Sequence, residues 1–401
     1  MYSLKLKDIK YLVGNNIVQS KTLKPFENIV CSFLENLSKN LLKNKTYRKH
    51  TDLVALAFWC SSSNLSKLKK KYKNSQIRFG RGLIFHITPS NVPTNFIYSL
   101  LFGLISGNSN IVKVPSKQFP QIDMICKEIK KILSKKEYSS IKDLITIIRY
   151  QDNDKNCISE KISEICDMRI IWGGDKTINT LREFKIKPHA TDVTFGDRYS
   201  FSIINANKVS KLGNNDLKIL VKNFFNDTYA ADQNACSSPH IVLWYSHKNI
   251  EKTIEKFWVE LSKKTKQDYV LPEIAIIDKY TKLCKDFAIN EDILGYKNYS
   301  NSLQTIRLKK IKSGLENLRG KWGYFYEYQL NDLSILKDII NKKFQTLTYF
   351  GFSKNKLEEF IRYNNIQGVD RIVPFGQALN MDLNWDGYDI ISSLSRSVII
   401  K

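Results

Sequence analysis

A chain of 401 residues with 42% hydrophobic and 25% charged side chains has the composition of a soluble globular protein and the length of two domains sharing a cleft. The formal charge of +24 invites a nucleic-acid partner, but of the 63 basic residues 51 are Lys and 12 Arg, whereas phosphate and base recognition favour the planar fork of Arg. The longest apolar run, Phe96–Ile105, is about ten residues, roughly half of what a membrane span needs. Nucleic-acid binding and membrane insertion therefore fall away, and Lys67–Lys73, the densest basic run, reads as a solvated surface.

The first residues show no apolar core followed by a small-residue cleavage site, which leads us to expect a cytoplasmic protein. The seven cysteines (Cys31, Cys60, Cys126, Cys157, Cys166, Cys236 and Cys284) include no C-x-x-C pair, so neither a zinc site nor a disulfide framework is expected.

Residues 1 to about 75 read as helical and irregular, with Ile29, Phe33, Leu34 and Leu37 at helical spacing. From Gly82 the chain alternates. Gly82–Ile87 is a buried strand, Thr88–Pro93 a proline-rich turn, Thr94–Ser106 an apolar helix stopped by Gly107-Asn108, and Asn110–Val114 the next strand. A helix over Gln121–Ser134, a strand over Leu144–Tyr150, a helix near 156–164 and a strand over Met168–Trp172 follow. Gly173-Gly174 then turns into a helix over Asp175–Glu183. Such repeats imply a parallel sheet covered on both faces, the doubly wound α/β class, in which ligands sit beyond the carboxyl ends of the strands. A second alternating set begins after 228: strand His240–Tyr245, helices near 248–264 and 273–288, strands near 303–309 and 322–328, a helix near 332–343, strand Leu347–Phe350, helix Lys354–Tyr363 and strand Arg371–Val373. The reading is a helical segment and dinucleotide-binding domain over 1–228, a catalytic domain over 229–375, and a 376–401 segment returning to the first domain.

The chemistry concentrates in three places. Asp232–Pro239 is polar, rich in small residues and leads into a strand, so Cys236 is accessible there and nearby amides can lower its pKa and cradle an oxyanion; the alternative is a structural cysteine in a turn. Thr88–Pro93 holds Asn91 between two prolines at the carboxyl end of a strand. That suits an amide donor to an oxyanion, or equally an Asn capping its own turn. Gly107–Ser116 ends a strand in Lys113-x-Pro-Ser116, placing Lys113 within reach of a cofactor ribose or phosphate. His189 and His240 flank these motifs as proton-donor candidates or, more simply, as packed histidines, and Asp197-Arg198 reads as a structural turn pair.

Seven segments in order, Gly82–Thr94, Ser99–Val114, Trp172–Asp175, Phe195–Ser200, Asp232–Pro239, Arg371–Pro374 and Trp385–Tyr388, resemble the aldehyde dehydrogenase superfamily, and within it the LuxC-type fatty-acyl-CoA reductases of bacterial bioluminescence operons. The resemblance runs from about residue 78 to the end. It implies an aldehyde-dehydrogenase-like fold, a doubly wound cofactor domain plus a second α/β catalytic domain, with the two meeting around Cys236. By resemblance Cys236 is the nucleophile and becomes S-acylated, while Asn91 and the Cys236 N–H hold the oxyanion. Lys113 contacts the adenosine ribose, and Trp172-Gly173-Gly174 open the helix that faces the pyrophosphate. The resemblance also implies a homo-oligomer. No role is assigned to Trp385–Tyr388.

Two departures sharpen the expectation. Oxidising relatives carry a Glu-Leu-Gly-Gly motif whose Glu activates water, whereas Asp192–Gly196 here has no Glu, which favours an enzyme that spares its thioester from hydrolysis. NAD-selective relatives place a Glu three residues after the lysine; here Ser116 stands there, followed by Lys117, so NADPH is expected with NADH as the alternative. The expected function is an acyl-CoA reductase that converts a long-chain fatty-acyl thioester to the aldehyde. The rivals are a reductase supplied by a partner acyl-protein synthetase and a scaffold that kept the fold without turnover.

Overall fold

The run Leu83–Ile87, buried at every position, is an inner strand of a six-stranded sheet. The computed structural model describes residues 2–3, 8–72, 76–89, 92–151 and 157–401, and these fall into two compact units, Met1–Gly196 with Met381–Lys401, and Asp197–Asn380. In the first unit the strands are β1 (Lys10–Val13), β2 (Leu83–Ile87), β3 (Ser109–Lys113), β4 (Ile145–Arg149), β5 (Met168–Trp172) and β6 (Thr191–Phe195). Their order is β1-β4-β3-β2-β5-β6, parallel throughout except for β1, which runs antiparallel to β4 at the edge. The chain steps from β2 outward through β3 and β4, then returns to the other side of β2 for β5 and β6. That reversal is the doubly wound arrangement expected from the alternation, and it puts a topological switch point between β2 and β5.

Both faces are covered. Helices α1 (Asn28–Lys43), α2 (Thr51–Trp59), α3 (Ser62–Lys71), α4 (Asn95–Ile105) and α5 (Pro120–Leu133) share one apolar core with Ile84, Val112 and Ile170. Helices α6 (Ile158–Ile165) and α7 (Asp175–Arg182) pack with Leu83, Phe85 and Ile171 on the other face. The alternation of Leu83, Ile84 and Phe85 between two cores is the period-two geometry of a strand buried on both sides. Helix α4 is buried nearly all round, and α5 starts on Pro120 and buries Ile122, Ile125, Ile129 and Ile132 at helical spacing.

The carboxyl terminus returns to this unit. Ser395–Val398 pairs antiparallel with Ile77–Gly80, and Trp385 enters the larger core. The 384–389 ribbon turns through Asp386 and Gly387, both at positive φ (50° and 78°), the backbone an Asp-Gly hairpin turn needs. Trp385–Tyr388 is thus a hairpin that anchors the returning chain.

The second unit holds β7 (Tyr199–Asn205), β8 (Pro239–Tyr245), β9 (Ile293–Ser300), β10 (Leu303–Leu308), β11 (Tyr324–Leu330), β12 (Phe344–Phe350) and β13 (Arg371–Pro374). The order is β9-β10-β11-β8-β7-β12-β13, with only the β9–β10 pair antiparallel. Helices α8 (Asn214–Thr228) and α9 (Glu251–Asp268) cover one face through Phe224, Phe257 and Trp258. The opposite face packs with Leu336, Ile340 and, from α11 (Lys354–Tyr363), Phe360. Helix α10 (Glu273–Ile289) precedes the edge strand β9.

The sequence expectation put the change of domain near 228, whereas by compactness β7 and α8 lie in the second unit, which begins at Asp197 and ends at Asn380. The helix expected near 332–343 shrinks to a short 3₁₀ turn, Ser334–Asp338, because Leu333, Leu336 and Ile339 at three-residue spacing are already buried by one tight turn.

Candidate functional site

Within the first unit, the five expected cofactor residues, Lys113, Ser116, Trp172, Gly173 and Gly174, lie at or just beyond the carboxyl ends of β3 and β5. The chain leaves β2 through Thr88, whose hydroxyl donates to the carbonyl of Lys113 at 2.7 Å, tying the turn after β2 to the end of β3. The Lys113 ammonium lies 4.4 Å from the centroid of the Tyr150 ring. Ser116 and Lys117, just beyond, are exposed. Across the switch point β5 ends at Trp172; the Gly173 amide donates to Phe195 O at 3.1 Å and Gly174 caps the amino end of α7. A Cβ added at Gly174 would meet no heavy atom within 4 Å, so the space before this helix end is open. Asn91 lies outside the described residues.

Trp172 is a core residue in this setting. Its indole stacks on Phe195 at 3.8 Å and its Nε1–H donates to Ser99 Oγ at 3.0 Å, so its side chain is committed to packing and only its backbone belongs to the open turn. Ser99 in turn meets His86 Nδ1 at 2.8 Å, and His86 Nε2 meets Asn110 Oδ1 at 2.9 Å. The Asn110 amide donates to the carbonyls of Asn108 and Leu144, which fixes its Oδ1 as an acceptor and puts the His86 proton on Nε2. The chain therefore runs in one direction, Trp172 to Ser99 to His86 to Asn110. Burial pushes the His86 pKa down to about 4, so the ring is neutral. A Cβ at Gly103 would lie 1.9 Å from Asn110 Oδ1, which is why the helix over this network carries a glycine there.

Cys236 lies in the second unit, in the loop that feeds β8 at its amino end, and is half-buried. Its loop is held by its main chain. Asp232 and Gln233 are both in the left-handed region, φ 52° and 58°. Gln233 is fully buried and uses its whole amide: Nε2 donates to Pro239 O and Tyr324 O, both at 3.1 Å, while Oε1 accepts from the amides of Gly323 and Tyr324 at 3.1 and 3.2 Å. Ser238 N–H donates back to Ala235 O at 2.9 Å, closing a tight turn around Cys236. Ser200, at the start of β7, donates to Cys236 O at 2.6 Å, and the Ser238 hydroxyl donates to Asp227 O at 2.8 Å. Asp227 is buried; its carboxylate accepts from Gly376 N and Ala378 N at 2.7 and 2.8 Å, while burial pushes its pKa up to about 7.

The remaining candidates separate cleanly. His240 is buried, stacks on Tyr199 at 5.3 Å and has Nδ1 3.1 Å from Gly320 O; burial lowers its pKa to about 3, the state of a packed neutral histidine. His189 is exposed, 3.9 Å from Asp167. Asp197 pairs with Arg319 at 2.8 Å and Arg198 with Asp370 at 2.5 Å, so each member of the expected turn pair binds a different partner. Asp192, the one acid in the 192–196 stretch, is gripped in a fork by buried Arg169, with Nε to Oδ1 and Nη2 to Oδ2 both at 2.8 Å. Gln233, Ser200 and the His86–Ser99 pair escaped the sequence reading. A Gln beside a reactive-looking cysteine was the only signal available for the first, and the others depend on strand neighbours far apart in sequence.

No helix among the described residues is long and apolar enough to cross a membrane. Two α/β units, one doubly wound around a switch point and one carrying a cysteine loop, define an aldehyde-dehydrogenase-like protein. Solved structures agree on that fold. Aldehyde dehydrogenase 21 from Physcomitrella patens aligns with a TM-score of 0.64 at 10% identity, covering 93% of this chain and 86% of that one. Lactaldehyde dehydrogenase from Escherichia coli aligns with 0.64 at 11% identity, covering 92% and 86%. Within that class the chain belongs to the acyl-CoA reductase (LuxC) family, whose model matches residues 17–280. It is similar to the long-chain acyl-protein thioester reductase of Vibrio harveyi, 22% identical over 74% of this chain and 59% of that protein. It is also similar to the enzyme of that name from Aliivibrio fischeri, 23% identical over 44% of this chain and 36% of that one. The chain thus spans about a third to three fifths of the length of these curated relatives.

Proposed function

We propose that the protein reduces a long-chain fatty-acyl thioester to the aldehyde through an S-acyl intermediate on Cys236, with NADPH as reductant. The observation that carries this reading is the loop of Cys236: a half-buried cysteine whose carbonyl and flanking residues are fixed by Ser200, Gln233 and Asp227, in a family of acyl-CoA reductases. The Cys236 thiolate attacks the thioester carbonyl carbon, the C–S bond to the donor thiol breaks, and that thiol leaves with a proton. Asn91 is assigned the amide that supports the oxyanion. A dinucleotide, when bound, would supply one hydride to the acyl carbon. The resulting thiohemiacetal on Cys236 collapses by breaking its C–S bond, releasing aldehyde and restoring the thiolate.

The residues present fit a dinucleotide. Lys113 offers a cation at the end of β3, Ser116 and Lys117 leave room and positive charge for a 2′-phosphate, and the open Gly173-Gly174 turn lets a pyrophosphate approach the amides of α7. The locked state of Asp192 supports reduction over hydrolysis, since a carboxylate held by both Arg169 donors is a poor general base for water.

The acyl donor is either an acyl-CoA or an acylated protein; the second is favoured by relatives named for acyl-protein thioesters. The test follows NADPH absorbance with acyl-CoAs of graded chain length and with an S-acylated protein donor, for wild type and Cys236→Ala. Cys236-dependent consumption with stoichiometric aldehyde is expected. Consumption that survives Cys236→Ala removes the covalent intermediate. NADPH binding without consumption from any donor points to a scaffold.

A further inference from the structure

Lys279 is 2% exposed on the inward side of α10, a rare place for a side chain that carries a charge. Its Nζ donates to the carbonyl of Asn301 and to that of Trp322 at 3.0 Å. Burial lowers its pKa to about 8, so at neutral pH the ammonium form prevails and both bonds are charge-assisted. An apolar side chain of the same length would avoid taking a charge out of water. The reason for a lysine here therefore lies with the two carbonyls. Asn301 is at the tip between β9 and β10, and Trp322 is in the turn that enters β11. Both stand at the amino ends of the parallel strands β10, β11 and β8, the edge from which the Cys236 loop feeds β8.

The turn at Trp322 needs to be held. Trp322 and Gly323 both have positive φ, 53° and 81°. Gly323 suits that backbone, and a Cβ there would lie 2.0 Å from Ser302 O and 2.3 Å from the Tyr229 hydroxyl oxygen. Trp322 does not suit it, because left-handed backbone crowds the Cβ of a bulky residue and persists only where the surroundings impose it. Lys279 fixes the Trp322 carbonyl, and Asp232 O fixes the Trp322 N–H at 3.1 Å. The helix that carries the lysine is itself fastened to β11, since Asp286 accepts from the hydroxyls of Tyr324 and Tyr326 at 2.7 and 2.6 Å.

The bond to Asp232 leads into the cysteine loop. Asp232 and Gln233 are left-handed as well, and the Tyr269 hydroxyl donates to Asp232 Oδ1 at 2.7 Å. The Gln233 side chain accepts from the amides of Gly323 and Tyr324 and donates to Tyr324 O and Pro239 O. Two left-handed pairs, 232–233 and 322–323, are thus joined by one main-chain bond and one buried amide, and each pair constrains the other. Cys236 follows three residues after Gln233.

With Cys236 as the nucleophile of the proposed reaction, we infer that Lys279 is its positioning residue: the ammonium clamps Trp322 in the left-handed turn, and that turn holds Asp232 and Gln233 and so sets the place of Cys236. Lys279 touches neither thioester nor dinucleotide in this role. It acts through two carbonyls, at a distance from the sulfur.

Hydrogen exchange and acylation together test the clamp in wild type, Lys279→Met and Lys279→Met/Trp322→Asn, each checked by circular dichroism for retained fold. Methionine keeps the length of the stem and removes the ammonium. Asparagine adopts left-handed backbone more readily than tryptophan, so the double variant has less need of the clamp. In Lys279→Met the amides of 232–238 are expected to exchange about tenfold faster, while those of β7 and β12 keep their rates. Single-turnover S-acylation of Cys236 by myristoyl-CoA, or by an S-acylated protein where that is the donor, is expected to fall about ten- to a hundredfold. NADPH affinity is expected to stay as in wild type, and the double variant to move both exchange and acylation back toward it. Should Lys279→Met not fold, Lys279→Gln, which keeps a neutral donor, is expected to show the same changes at smaller size. Unchanged exchange across 232–238, faster exchange with unchanged acylation, or a double variant no better than the single one would each overturn the assignment. A wild type whose Cys236 accepts no acyl group from either donor would instead defeat the reading of Cys236 as nucleophile, and the role of Lys279 with it.

Discussion

The Ser200 hydroxyl donates to Cys236 O at 2.6 Å and accepts from Thr346 N at 3.1 Å, so one side chain at the start of β7 links the cysteine loop to the neighbouring strand β12. The linkage continues: Arg371 reaches Thr346 Oγ1 at 3.5 Å and Ala378 O at 3.0 Å, Ala378 N–H donates to Asp227, and Ser238 returns to the carbonyl of Asp227. Cys236 thus sits in a closed ring of main-chain and side-chain bonds drawn from β7, β12, β13 and the end of α8. In the proposed reaction this hold on the main chain of Cys236 fixes the angle of attack.

Ser200→Ala removes one donor from Cys236 O and one acceptor from Thr346 N, both in the buried interior. The expected loss is about 1–3 kcal/mol of unfolding free energy, read by urea denaturation. With acyl thioester the expected fall in kcat is on the order of ten- to a hundredfold, the scale of a misplaced reacting group, with KM little changed. Unaltered kcat at the same loss of stability would mean the loop keeps its geometry without this bond.

His86 makes the first unit acid-sensitive. Its pKa in the fold is about 4, below its unfolded value near 6.5, so the unfolded chain binds the proton more readily. The contribution is fully present above pH 6.5 and is lost as pH falls toward 4. By pH 5 the cost is about 2 kcal/mol. His240, held lower still at about 3, adds to the same loss in the second unit. Urea melts of wild type and His86→Gln at pH 7 and pH 5 are expected to show a smaller pH dependence in the variant, whatever its stability at pH 7. Equal slopes in both proteins would remove His86 as a source of the acid sensitivity.

The sequence disclosed the parallel strands well because strands such as Leu83–Ile87 are buried on both faces and read as unbroken apolar runs. It disclosed β1 and β9 poorly because both lie at sheet edges: β1 has only four residues, too few for a pattern, and β9 is largely exposed and carries no apolar signature. The second unit starts earlier than expected because β7 follows β6 after a turn of three residues, 196–198, with no composition shift to mark the crossing. Lys113, Gly173 and Gly174 were legible as strand-end and turn residues. The place of the Trp172 indole was not legible, since stacking on Phe195 and bonding to Ser99 are tertiary facts that local sequence does not carry. The burial of Lys279 on α10 was equally hidden, since the carbonyls of Asn301 and Trp322 that receive its ammonium lie far from it in sequence.

Asp192 is expected to be structural. Replacing it by Ala strands the guanidinium of Arg169, which is 1% exposed, and breaking a buried pair from one side costs roughly 3–5 kcal/mol. Asp192→Asn keeps the shape and one acceptor and is the variant for kinetics. Single-turnover hydrolysis of the S-acyl-Cys236 enzyme, without reductant, is expected at the wild-type rate. Slower hydrolysis in Asp192→Asn would identify this carboxylate as a water-activating base and would undo the argument that the protein spares its thioester.

In the proposed reading cofactor choice turns on Ser116, exposed beyond the end of β3 with Lys117 beside it. A carboxylate at this position would repel a 2′-phosphate and bind the free ribose diol, the discrimination acidic residues make in dinucleotide sites. Ser116→Glu is therefore expected to raise the KM for NADPH about ten- to a hundredfold, an effect of one charged hydrogen-bonding group, and to leave or lower the KM for NADH. Lys113→Ala is expected to weaken both nucleotides together, since a ribose contact is common to them. Isothermal titration of each nucleotide reads these changes without turnover. If Ser116→Glu left the ratio of the two affinities untouched, the adenosine ribose would have to lie elsewhere along the sheet edge, and the NADPH assignment would lose its support.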